Sequence, residues 1–197
     1  MAEPVQQSIR RATALVLLAG TLLVVQAASA SEETWALLKK PGHLVLLRHA
    51  NAPGLLEEPP GIDLRNCAIQ RNLDEAGRAQ ARRIGEAFRS HGIRQVRLLS
   101  SQFCRALETA RLLGLGKVEE FKLINYFNFN DETRAQIETE KTIAHMKTMT
   151  TRPVPVFVSH ISNIKAVTGI TPDSGEMIVV RFEAGKLAVA GRIPPPK

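Results

Sequence analysis

Two short apolar runs constrain this chain more than any other feature: His43-Leu44-Val45-Leu46-Leu47 and Val154-Pro155-Val156-Phe157-Val158. Neither alternates between apolar and polar residues, and both are bounded by turn or polar residues, which is the pattern of a strand covered on both faces. Such strands need helices above and below them, and the sequence between the runs supplies them. Residues 74–90 set Ala76, Ala79, Ile84 and Phe88 among arginines, predicting a helix with a buried stripe that stops at Gly92. Residues 95–99 read as a second strand, with Ser100-Ser101 as the N-cap region of a helix over 103–113. A strand at 118–123, a polar loop at 125–130 and a helix capped by Asp131 and running to about Met149 follow. Beyond Ser159-His160 a short helix is expected, then strands at 177–182 and 187–192 around Ala184-Gly185. A short helix at 32–40 precedes the Pro41-Gly42 turn. Residues 50–65, rich in proline and glycine, read as a long irregular loop, a kind that usually carries function. The alternation specifies an α/β three-layer sandwich, a mainly parallel central sheet with helices on both faces and an antiparallel strand near the end.

The first 30 residues differ from the rest. Arg10-Arg11, an apolar run over 12–25 and Ala28-Ser29-Ala30 match a cleavable signal peptide, leaving a single domain at 31–197. The run is shorter than the roughly 20 residues a membrane-spanning helix needs, so no stable membrane insertion is expected after cleavage. An uncleaved anchor would leave the domain on the same side of the membrane. The expected location is periplasmic or secreted. Removing residues 1–30 takes away Arg10, Arg11 and Glu3, which lowers the formal net charge of +7 by one unit. A basic surface of this kind attracts anions such as phosphorylated small molecules and envelope glycolipids. Nucleic acid is not an expected partner, because aromatic residues make up 5% and no basic tract is interleaved with them. Cys67 and Cys104 are too few for a zinc site, and their spacing leaves a disulfide and two buried thiols equally open.

Open α/β sheets collect ligands at the carboxyl ends of their strands. Arg48-His49 follow the first predicted strand, Ser100-Ser101 and Arg105 the second, and Ser159-His160 the fourth. Two guanidinium groups and two imidazoles on one sheet edge suit a phosphoryl group, whose oxygens accept bidentate guanidinium bonds while an imidazole attacks or donates.

The motifs Leu46-Leu47-Arg48-His49-Ala50, Asn72-Leu73-Asp74-Glu75-Ala76-Gly77-Arg78-Ala79-Gln80-Ala81, Ser100-Ser101-Gln102-Phe103-Cys104-Arg105-Ala106-Leu107-Glu108-Thr109-Ala110 and Val158-Ser159-His160 resemble those of the histidine phosphatase superfamily, in the family's order. The stretch from Cys67 to Leu73, with Cys104-Arg105, is similar to an exported subgroup carrying an R-H-A motif. The resemblance implies a phosphoglycerate mutase-like fold and a two-step reaction without metal or cofactor. In it His49 becomes a phosphohistidine that water then hydrolyses, while Arg48, Arg105 and His160, with Asn72 beside them, bind the phosphate. A Cys67–Cys104 bond would then pin the loop that carries Arg105. The alternative is a phosphate-recognition protein of the same fold that does not catalyse.

Two positions depart from the family pattern. Ala50 stands where the family often has glycine, and a single methyl is expected to fit. In Leu123-Ile124-Asn125, asparagine stands where ester-cleaving members usually carry a glutamate that protonates the leaving oxygen. Asp131, Glu132 or Glu176 could supply that proton instead, or the substrate could be a phosphoramidate or acyl phosphate that leaves unaided. Ser100, Ser101, Asn72 and Asn163 are expected mainly as caps and turn formers.

Overall fold

The computed structural model describes residues 31–54, 61–128, 132–149 and 152–197. The predicted signal peptide and Asp131 therefore lie outside the described residues. The elements run in the order α1 (31–37), β1 (His43–Arg48), α2 (Glu75–Ser90), β2 (Arg97–Ser100), α3 (Cys104–Leu113), β3 (Val118–Glu120), α4 (Glu132–Lys147), β4 (Pro155–Ser159), α5 (Ile161–Thr168), β5 (Met177–Glu183) and β6 (Lys186–Ile193). The six strands form one sheet in the order β3-β2-β4-β1-β5-β6. The first four are parallel, β5 runs antiparallel to β1, and β6 runs antiparallel to β5. The α/β architecture is the expected one, and β5 is the antiparallel strand expected near the end, with β6 turning back to run in the sense of the first four.

β1 shows why both faces must be covered. Val45 and Leu47 pack with Trp35, Ile84, Phe88, Ala106, Ala110 and Leu113 from α1, α2 and α3, while Leu44 and Leu46 pack with Met146, Met149 and Ile164 from the α4 and α5 side. Successive residues of a strand point to opposite faces, so an unbroken apolar run is what a two-sided core requires. Burying one Leu or Phe side chain contributes about 1.5–3 kcal/mol, and these positions are almost wholly buried. Close helix packing also depends on glycine: a Cβ on Gly85 of α2 would sit 2.0 Å from the Leu113 carbonyl oxygen of α3.

Several boundaries differ from the sequence reading: α1 ends at 37 rather than 40, and β2 spans Arg97–Ser100 rather than 95–99. β3 ends at Glu120, after a last ladder bond from the Phe121 amide to the Ser100 carbonyl, because residues Lys122–Ile124 form a 3-10 turn closed by the Asn125 amide on the Lys122 carbonyl, which a strand reading to 123 missed. The N-cap of α3 is Phe103 rather than the Ser100-Ser101 pair, although Ser101 Oγ accepts from the Phe103 amide at 3.3 Å.

What positions the site is the insertion of β4 between β1 and β2. The registers Arg48↔Ser159 and Ser100↔Val158 bring the carboxyl ends of β2, β4 and β1 level and side by side. Residues remote in sequence therefore leave the sheet at one place. Gly77 holds the adjoining loop down, since a Cβ there would lie 2.0 Å from the Asn51 carbonyl oxygen, and Asn51 Nδ2 donates to the Asp74 carboxylate that caps α2.

Candidate active site

His49 leaves β1 as an almost completely buried side chain, 2% exposed. Its Nδ1 lies 2.8 Å from the Ala50 carbonyl oxygen, an atom that can only accept, so Nδ1 carries the proton. Its Nε2 lies 3.2 Å from Arg105 Nε, which can only donate, so Nε2 presents its lone pair. Two neighbours thus select the tautomer in which Nε2 is free to act as a nucleophile. Ala50 is fully buried among Ala52, Leu73 and Ala81, so its methyl is accommodated where the family often has glycine.

His160 leaves β4 with 1% exposure and is oriented by the same logic. Arg105 Nη2 donates to its Nδ1 at 3.3 Å, so Nε2 bears the proton and donates to Ser101 Oγ at 2.7 Å. The Ser101 hydroxyl then donates to Asn125 Oδ1 at 3.1 Å. The backbone amide of Gln102 also donates to that oxygen, at 2.8 Å, which fixes how the Asn125 amide is turned. A directional chain from Arg105 through His160 and Ser101 to Asn125 holds the second imidazole in place. The two imidazole centroids are 5.3 Å apart.

Arg105, in the first turn of α3, is completely buried and reaches both histidines. Its guanidinium lies over the Phe103 ring, 4.7 Å from the centroid. Thr109 Oγ1, one turn on, donates to the Arg105 carbonyl at 2.7 Å and accepts from the Ala50 amide at 3.1 Å, tying the helix to the loop after β1. Arg48 is half-buried, with Nη1 donating to Pro172 O at 2.7 Å. Its buried Nε has no hydrogen-bond partner among the described residues, which leaves a donor for an anionic oxygen.

The electrostatics favour neutral imidazoles. Burial and then the Arg105 guanidinium push His49 well below its ordinary value of 6.5; the bond to Ala50 opposes them, and Arg71 and Arg48 lower it further. Burial, Arg105 and His49 do the same for His160. A stability prediction follows. Below about pH 6.5 the unfolded chain takes up protons on these two histidines that the folded protein refuses, so folding stability falls as pH falls through that range. Each refused proton contributes about 1.4 kcal/mol per pH unit. Denaturant titrations of the ligand-free protein at pH 7.5 and 5.5 should show a loss that shrinks in His160→Asn. Equal losses in the two proteins would contradict buried neutral His160.

The other sequence candidates fall elsewhere. Asn72 Nδ2 donates to the carbonyls of Cys67, at 2.6 Å, and Gln70, at 3.0 Å; it closes a turn and is not joined to the histidine pair. Glu176 is 4% exposed, with its carboxylate on Arg192 Nε at 2.7 Å and on the Asp173 amide at 2.8 Å, which ties the start of β5 to β6. Glu132 is exposed in the first turn of α4. Asn163 Nδ2 donates to Asn125 O, and Ser100 Oγ to Ser101 O. Cys67 and Cys104 are disulfide-bonded, with Cα atoms 5.7 Å apart.

Arg71 was missed in the sequence. Its charge acts on His49, His160 and Arg48, and Nη1 donates to Ala52 O at 2.8 Å. Its place between Cys67 and Asn72, inside a motif stretch, was the available signal.

A model of the histidine phosphatase superfamily (branch 1) matches residues 44–155. The structure is similar to phosphoserine phosphatase from Entamoeba histolytica, with 15% identity over 76% of this chain and 95% of that one at a TM-score of 0.59. It is also similar to a mycobacterial glucosyl-3-phosphoglycerate phosphatase, with 14% identity over 80% and 100% of the two chains at a TM-score of 0.57. A third similar structure is the protein histidine phosphatase SixA complexed with tungstate, with 16% identity over 78% and 97% at a TM-score of 0.52. A search of curated protein sequences gives no significant match. At these identities the structural likenesses establish the fold, while the family model spans β1 through the start of β4 and with them His49 and Arg105. The chain belongs to branch 1 of the histidine phosphatase superfamily.

Proposed function

We propose that this chain is a phosphatase of the cell envelope, a phosphoric monoester or phosphoramidate hydrolase working through a phosphohistidine intermediate. The observation that carries the proposal is one buried guanidinium, Arg105, bridging two neutral imidazoles whose tautomers are set by fixed partners. In the first step the Nε2 lone pair of His49 forms a bond to phosphorus, and the bond from phosphorus to the leaving atom breaks with its electron pair. In the second step water attacks phosphorus, the N–P electron pair returns to Nε2, and inorganic phosphate is released with the water's proton going to solvent. The Nδ1–H bond to Ala50 O stabilises the charge that develops on the ring. Arg105 and Arg48 turn from their resting partners to the phosphoryl oxygens, where preorganised cations contribute most to this chemistry. His160 lines the opposite side as a neutral ring, its Nδ1 accepting from Arg105 and so orienting that guanidinium.

The leaving group has less help. Asn125 cannot donate a proton of suitable acidity, and Glu176 is engaged with Arg192. The expected substrates therefore need no acid from the protein: aryl or acyl phosphates, whose leaving oxygens are weakly basic, and phosphoramidates such as phosphohistidine, whose leaving group takes a proton from solvent and departs as a neutral nitrogen base. A positioned general acid contributes about 10²- to 10⁴-fold, so alkyl phosphates should turn over at least ~10²-fold more slowly than aryl phosphates. Steady-state rates on a matched aryl, alkyl and phosphohistidine panel check this. Equal rates on all three would show that an acid is present after all. Phosphate binding with no turnover of any of them would favour the non-catalytic recognition reading.

The envelope assignment rests on the leader-like residues 1–30, on the basic charge of the remainder and on the disulfide, which persists best in an oxidising compartment. The natural substrate in this proposal is a phosphorylated small molecule or an envelope glycolipid. Fractionation of cells expressing the full chain, with detection in the periplasm or medium after loss of residues 1–30, tests it.

A further inference from the structure

We infer that Arg71 is a third phosphoryl-binding guanidinium, delivered to the His49–His160 pair by a turn that the Cys67–Cys104 disulfide and Gln70 staple to the helix of Arg105. The inference rests on the phosphatase reading above and names a further residue of that site.

The turn is built as a holder. Residues Cys67–Ile69 form a 3-10 turn whose N-cap Asn66 accepts from the Ala68 amide. Gln70, 7% exposed, donates through Nε2 to Leu64 O at 3.0 Å, and its Oε1 accepts from the Cys104 amide at 3.0 Å. That amide is one of the otherwise unsatisfied donors at the start of α3, so the Gln70 side chain caps the helix that bears Arg105. The disulfide joins the same two segments covalently, and Asn72 closes the turn from behind. Arg71 lies between Gln70 and Asn72 and so has little freedom at its backbone. Its stem runs along Gly54, where an added Cβ would lie 3.5 Å from Arg71 Cδ, and Nη1 is anchored on Ala52 O. The guanidinium thus lies between the loop that follows His49 and the turn stapled beside Arg105.

The electrostatics agree with this placement. Among the charged neighbours that disfavour a proton on His49, Arg71 ranks after Arg105 and ahead of Arg48, and it is the leading cationic neighbour of Arg48. Three guanidinium groups around two neutral imidazoles form a site for a dianion that gains charge density as its phosphorus flattens. A preorganised planar fork loses little on binding, which gives the disulfide a purpose: it fixes the segment that carries the third fork.

The test uses the full domain and inorganic phosphate as the probe. Arg71→Met should weaken phosphate binding, measured by calorimetry, by about 10-fold or more, with the thermal midpoint of the ligand-free protein close to the parent. It should also let His49 protonate at a higher pH in a histidine NMR titration, since a nearby positive charge is gone. Arg71→Lys should recover part of the affinity. Cys67→Ser/Cys104→Ser should weaken binding in the same direction and add little in the Arg71→Met background, because both changes remove one contribution. Parent-like phosphate affinity in Arg71→Met, with the His49 titration unmoved, would overturn the inference while leaving the phosphatase reading intact. A parent protein that neither binds phosphate nor hydrolyses any member of the substrate panel would overturn the reading itself.

Discussion

Exchange of His49 for alanine is expected to lower kcat for phosphoryl hydrolysis by about 10⁴-fold or more, while inorganic phosphate still binds within about 10-fold of the parent affinity. The asymmetry follows from the division of labour at the sheet edge. Nε2 of His49 is the atom that forms the new bond, so its loss removes the covalent route and leaves only a weak direct attack by water. The oxyanion is held chiefly by Arg105 and Arg48, which reach the site from α3 and from the end of β1 and keep their own anchors in the variant. Rate measurements paired with calorimetry separate the two effects. A variant retaining a tenth of the parent kcat would place the nucleophile elsewhere.

Arg105→Lys is expected to lose nearly as much activity as Arg105→Met, about 10³-fold or more in kcat/KM for both. Arg105 approaches His49 through Nε and His160 through Nη2, two donors held in one rigid plane. A lysine ammonium conserves the charge but offers one nitrogen with no planar fork, so it does not reproduce the separate Nε and Nη2 positions from which Arg105 meets the two rings. The side chain is also completely buried, so an ammonium there would leave buried acceptors without their present donors. Kinetics of the two variants on an aryl phosphate decide the matter. A lysine variant within 10-fold of the parent would mean that charge alone suffices and that the fork geometry is incidental.

Much of this site could be read in the sequence because sheet physics puts ligands at strand ends. The apolar runs that end in Arg48-His49 and Ser159-His160 announce both the strands and the residues they deliver. What the runs do not announce is strand order. That β4 lies between β1 and β2 depends on non-local pairing, and it alone makes His49, His160 and Arg105 neighbours. The short-range pattern failed over Lys122–Ile124, where an apolar run that reads as more strand is a 3-10 turn whose Ile124 is buried against the α4 side of the sheet. Asn72 and Glu176 were drawn toward the site by motif position and sheet topology. Their side chains are instead taken by carbonyls of a tight turn and by Arg192, partners that only the folded chain brings within reach. Arg71 was missed for the converse reason. Its stretch has no helical or strand period, and its placement comes from a disulfide, a buried glutamine and a glycine contact far apart in the sequence.

Asn125 illustrates how one substitution alters a site without disturbing its frame. Its carboxamide oxygen accepts both from the Gln102 amide and from Ser101, so the position that would hold a proton donor instead holds the chain that orients His160. On the proposed mechanism such a site assists attack on phosphorus more than departure of a basic leaving group.

The central claim is that Nε2 of His49 carries the phosphoryl group between the two steps. The direct measurement is alkaline quench of the enzyme during turnover of an aryl phosphate, followed by phosphopeptide mass spectrometry and ³¹P NMR of the trapped species. The account predicts one acid-labile phosphate on the His49 imidazole, bonded through Nε2 because Nδ1 is occupied by Ala50 O. Phosphate found on another residue, on Nδ1, or on no residue while turnover proceeds would contradict it.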